Sequence, residues 1–126
     1  MAKQSFTAGQ VFTAAQANGL NANMGWNLDT NTQTGTTYTL VIGDVGEYVT
    51  LNNAASITLT VPANVFSAGD TINVVQLGAG QVTMVAGAGA TLNSQGSKLK
   101  LTGQYAAATI LFTSATAAVV FGNLSA

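Results

Sequence analysis

Apolar and polar residues alternate with a period of two along most of the chain. In Ser56-Ile57-Thr58-Leu59-Thr60-Val61 the residues Ile57, Leu59 and Val61 oppose Thr58 and Thr60, as in a strand with one buried and one wet face. Pro62 ends that strand. Thr37 to Ile42 repeats the pattern, with Tyr38, Leu40 and Ile42 on one face. Further strands are expected at Glu47 to Asn52, Thr71 to Leu77, Gln81 to Ala86, Ala90 to Asn93, Lys98 to Leu101, Tyr105 to Phe112 and Ala117 to Phe121. Turn residues separate them: Gly43 to Gly46, Asn52-Asn53, Ser67 to Asp70, Gly78 to Gly80, Gly87 to Gly89 and Gln95 to Ser97,. About eight short strands at this spacing predict an all-β domain over residues 36–126, an antiparallel β-sandwich of jelly-roll type.

Residues 1–35 read differently and form an N-terminal arm. Thr13-Ala14-Ala15-Gln16 fits a capping box, in which the Thr hydroxyl takes an orphan amide and the Gln side chain reaches back. A short helix from Ala14 to Met24 follows, with Leu20, Met24 and Ala17 in a thin apolar stripe, weakened by Gly19,. Such a helix needs a surface to dock on. Phe6, Phe12, Leu20, Met24 and Trp26 are its candidate partner-binding residues, and Asp29 to Gly35 reads as a linker,. The opening ten residues carry one Lys and no continuous apolar block, which speaks against a secretory signal,. Phe6 to Gln10 echoes Phe66 to Asp70 over five residues, as shared turn chemistry and not as a repeat.

Composition narrows the possible functions. The chain has 126 residues, enough for one domain, and only 6% are charged where an ordinary soluble domain has about 25%. The seven are Lys3, Asp29, Asp44, Glu47, Asp70, Lys98 and Lys100; Arg, His and Cys are absent. The usual general bases, nucleophiles and soft metal ligands are therefore missing. Three cations are too few to neutralise even six phosphates, so nucleic acid is not expected as a partner,. A net charge of −1 does nothing to keep copies apart, and outward-facing Thr and Ser protect strand edges poorly against pairing with another copy. An oligomer is expected. Leu101 to Ala126 is uncharged, but polar residues interrupt it and Gly103 and Thr113 to Thr116 break it, so two strands are expected and not a membrane span,.

Candidate chemistry is sparse. Asp44 and Glu47 lie three apart in one turn, the residue types of a glycosidase pair, without an Arg or His to tune them,. Asp29 and Asp70 could join them around a hard cation, but no spaced acidic loop exists,. Ser97-Lys98-Leu99-Lys100 has the spacing of a serine acylase, yet strand alternation would put Ser97 and Lys100 on opposite faces,. Gly78-Ala79-Gly80 and Gly87-Ala88-Gly89 lack the third glycine of a dinucleotide fingerprint and read as tight turns,. No enzyme activity, cofactor or metal is expected. What survives is a surface of amides and hydroxyls beside Tyr38, Tyr48, Tyr105 and Trp26, a mixture found both in sugar-binding surfaces and in ordinary buried tyrosines,.

The runs Thr37 to Gly46, Val49 to Ala54, Ile57 to Pro62, Phe66 to Asp70, Ile72 to Thr83 and Gln104 to Thr109 resemble a β-rich domain of tailed-bacteriophage structural proteins, particularly those of actinobacterial hosts. Phe6 to Asn18 is similar to the start of several phage minor structural proteins. The resemblance implies a virion surface module, often trimeric, on capsid, tail tip or fibre end. Ala117 to Phe121 departs from the commoner pattern, which has a polar turn and Trp there, so no ligand site is carried over. Without a heptad or collagen-like repeat the chain offers no fibre shaft. The expectation is therefore a homotrimeric capsid decoration protein whose arm grips the major capsid protein. The alternative is a minor tail or tail-tip protein whose sandwich loops bind host-surface carbohydrate.

Overall fold

The computed structural model describes residues 30–126, and all its regular structure is β apart from two short 3₁₀ turns. The strands are β1 (Thr30–Gln33), β2 (Thr37–Thr39), β3 (Tyr48–Leu51), β4 (Ile57–Val61), β5 (Thr71–Gln76), β6 (Val82–Ala86), β7 (Thr91–Ser94), β8 (Lys100–Leu101), β9 (Ala107–Phe112), β10 (Ala117–Gly122) and β11 (Leu124–Ser125). They form a six-stranded sheet in the order β1-β3-β5-β9-β10-β7 and a five-stranded sheet in the order β11-β8-β6-β4-β2. The all-β expectation agrees with this; the antiparallel jelly-roll sandwich does not. β1, β3 and β5 are parallel, as are β2, β4 and β6. The chain thus winds through about three turns of a β-solenoid, each turn giving one strand to each sheet.

The expectation failed at the pairing step. Parallel sheets usually arise through helical crossovers and are covered on both faces, so their strands read as continuous apolar runs. Here the crossover between parallel neighbours is a strand of the opposite sheet. Each sheet buries one face only, and the sequence shows the same alternation as an antiparallel sandwich. Antiparallel pairing enters where β9 joins β5, β10 joins β9, and β8 joins β6 and β11.

The inward residues meet in one core between the sheets. Val49 and Leu51 of β3, Ile57, Leu59 and Val61 of β4, Ile72 and Val74 of β5, Val82 and Met84 of β6, and Ile110 and Phe112 of β9 are buried in it. Phe112 stacks on Phe66 with ring centroids 4.4 Å apart. Tyr38, Leu40 and Ile42 do not share a face as expected. β2 stops at Thr39, Leu40 stays buried, and Ile42 opens a 3₁₀ turn with 62% of its surface exposed. The segment read as a linker supplies a strand, Thr30–Gln33, which lies at the edge of the six-stranded sheet.

The second and third turns superpose in register without a gap. Tyr48 to Leu51 pairs with Asn73 to Gln76, and Ile57 to Val61 pairs with Val82 to Ala86, a constant offset of 25 residues. Between them the corner Asn53 to Ala55 lies under Gly78 to Gly80. A Cβ at Gly78 would sit 2.6 Å from the backbone N and O of Asn53, and one at Gly80 would overlap the carbonyl oxygen of Ala55. Glycine is required here by close stacking of backbone on backbone.

Candidate functional site

A connected polar cluster forms around Asp44, buried to 1% exposure. It closes the 3₁₀ turn Ile42–Asp44 between β2 and β3. Its Oδ1 accepts a hydrogen bond from Asn31 Nδ2 at 2.8 Å, and its Oδ2 accepts from the Tyr38 hydroxyl at 2.8 Å and from the Val41 amide at 2.9 Å. Asn31 also donates to the Tyr38 oxygen at 2.8 Å and accepts from Gln33 Nε2 at 2.8 Å. Partial burial of the phenol, then the hydrogen bond and charge of Asp44, push the Tyr38 pKa up to about 12. The cluster ties β1, β2 and the following turn into one unit, as a buried carboxylate with all its donors in place should. Glu47, the other carboxylate of that turn, is partly exposed and makes no side-chain hydrogen bond to the described residues.

The remaining sequence candidates scatter. Asp70 accepts from the Ser67 amide at 2.9 Å within its own turn. Among the described residues no three acidic side chains converge on a point that could hold a metal ion. Ser97 sits in a 3₁₀ turn with φ 57, while Lys100 begins β8, so the S-x-x-K spacing does not form one helical turn. Tyr105 is 73% exposed at φ 68, a conformation that non-glycine residues seldom adopt,. Phe6, Phe12, Leu20, Met24, Trp26 and the expected arm helix lie outside the described residues.

One constellation forms that the sequence does not display. On the outer face of the six-stranded sheet the Cα registers put Tyr48, Asn73, Thr109 and Phe121 in a single row across β3, β5, β9 and β10. The first and last are aromatic rings with two strands between them, three strand spacings or roughly 14 Å apart,. Both are exposed, Tyr48 at 39% and Phe121 at 51%. Between them the Thr109 hydroxyl donates to Asn73 Oδ1 at 2.7 Å. That bond turns the Asn73 amide nitrogen away from β9, and it makes no hydrogen bond to the described residues. Tyr48 was among the aromatics singled out from sequence. Phe121, Asn73 and Thr109 were not, and only a strand register could have joined them.

No protein-family model matches the chain, and no curated protein sequence matches it at a significant level.

Proposed function

We propose that the protein is a structural component of a tailed-phage virion, a capsid decoration protein that binds the major capsid lattice through residues 1–29 and associates as a homotrimer. The observation that carries this reading is the first turn of the solenoid. At the end where those residues enter, β1 and β2 leave the outer edges of both sheets unpaired among the described residues, and Val41 and Ile42 beside them are 51% and 62% exposed. Open strand edges and adjacent apolar side chains are what another chain pairs with. The chain is also nearly uncharged, so packing copies side by side meets little electrostatic resistance. The phage resemblance supplies the kind of assembly, and a repeating lattice multiplies the effect of each weak arm contact.

The test is capsid occupancy. A chain lacking residues 1–29 should keep its β-type circular dichroism and fail to bind undecorated capsids. Undiminished occupancy by the truncated chain overturns the reading. Copies per virion separate head from tail: a decoration protein is expected in dozens to hundreds, a tail-tip protein in a few.

A further inference from the structure

Phe121 stands between two depressions in the surface. One, of about 250 Å³, is lined by Phe121 and Tyr48 together with Asn73, Thr109, Ala107 and Ala108. The other, of about 310 Å³, lies on the opposite side of Phe121 and is reached by Gln95 and Lys98. Both share Gly122, whose φ is +139 and where a Cβ would sit 2.6 Å from the Ala107 carbonyl oxygen and 2.7 Å from the Ala108 Cα. Gly122 thus packs directly on the backbone of β9, an approach that only glycine permits in this conformation,.

From this arrangement we propose that the outer face of the six-stranded sheet is a binding site for a neutral oligosaccharide, laid across the strands with sugar rings against Tyr48 and Phe121. The proposal does not rest on a place in the virion. An exposed aromatic ring presents a negative π face, which attracts the polarised C–H bonds on the apolar side of a pyranose. Sugar hydroxyls need donors and acceptors at the same level as the rings. The Asn73 amide nitrogen offers donors and the Thr109 oxygen retains lone pairs, and the hydrogen bond between the two side chains holds both in place before a ligand arrives,. No charged side chain lines the depression between the rings, and a single lysine, Lys98, lines the other, so the ring held between Tyr48 and Phe121 is a neutral one. Each depression falls near the lower end of the range for small-molecule sites, about 300 Å³, which suits one sugar ring apiece on either side of Phe121. A second copy of the chain fits this face less well. A flat sheet face laid on it would leave both depressions unfilled.

The experiment is binding of the full-length protein to an array of defined neutral oligosaccharides, followed by titration of the bound structures. Wild-type protein should bind neutral chains of three or more rings and bind their monosaccharides much more weakly. Phe121→Ala and Tyr48→Ala should each lower affinity about tenfold or more with unchanged circular dichroism and melting temperature, while Phe121→Tyr should retain binding. Absence of binding by the wild type at millimolar oligosaccharide overturns the proposal, as does unchanged affinity in both alanine variants. Conversion of a wild-type oligomer to monomers by Phe121→Ala in sedimentation, with no sugar bound by either, overturns it too and assigns the face to contacts between copies.

Discussion

Asp44 shows how one residue can read as chemistry in sequence and as architecture in three dimensions. Its carboxylate receives three hydrogen bonds in a site with 1% exposure. Asp44→Asn keeps the shape but sets an amide nitrogen against a donor, which should cost about 2 kcal/mol, within the range for hydrogen bonds to charged groups. Urea denaturation of the variant measures it, and a loss below about 0.5 kcal/mol would mean the cluster is dispensable. Tyr38 adds a pH dependence. Its folded pKa of about 12 lies above the ordinary 10, so the folded state holds the phenol proton more tightly than the unfolded chain does. The stabilisation is complete below pH 10 and disappears as pH rises from about 10 to 12. Melting temperatures across that window should fall for the wild type and fall less for Tyr38→Phe, a comparison that cancels the lysine titrations common to both.

Among the elements, strand positions were largely legible. Ile57 to Val61 appears where alternation placed it, and β3, β5, β6, β9 and β10 lie within a residue or two of their expected bounds. β1 escaped because Thr30-Asn31-Thr32-Gln33 carries no apolar residue; a strand at the end of a stack owes its place to edge pairing and to the Asn31 contact with Asp44, not to burial. Pairing partners escaped for a different reason, since one-sided burial imposes a period of two whether neighbours run parallel or antiparallel. The 25-residue offset was also hidden, because the stacked rungs share only Val49 with Val74, Ala54 with Ala79 and Thr58 with Thr83 as identities. Glycines in turns looked alike in sequence and differ sharply in space. Gly80→Ala should cost about 3 kcal/mol or prevent folding, since a backbone carbonyl cannot step aside as a side chain can,. Gly43→Ala, with no atom within 4 Å of the added carbon, should change stability by less than about 0.5 kcal/mol. Thermal melts of the pair make the contrast, and equal effects would refute the stacked-corner account.

At the scale of the whole molecule, the candidate sugar site was illegible for a topological reason. Tyr48 and Phe121 lie far apart in the chain, on β3 and β10, and share a row of one sheet face only because β9 and β10 insert beside the parallel strands. Alternation announces which side chains point outward, not which of them share a row. The low charge, by contrast, was legible from composition alone, and the fold gives it a place: two sheet faces dressed mainly in hydroxyls, amides and small apolar groups. The close-packed corner has one more implication. The rung bearing Gly78 and Gly80 can settle on a predecessor that has side chains at those positions, whereas the rung bearing Asn53 and Ala55 could not take its place above a copy of itself. The succession of coils along this protein is thus written in one direction, and any lineage that lengthened it by gene duplication would have had to copy the glycine-bearing coil.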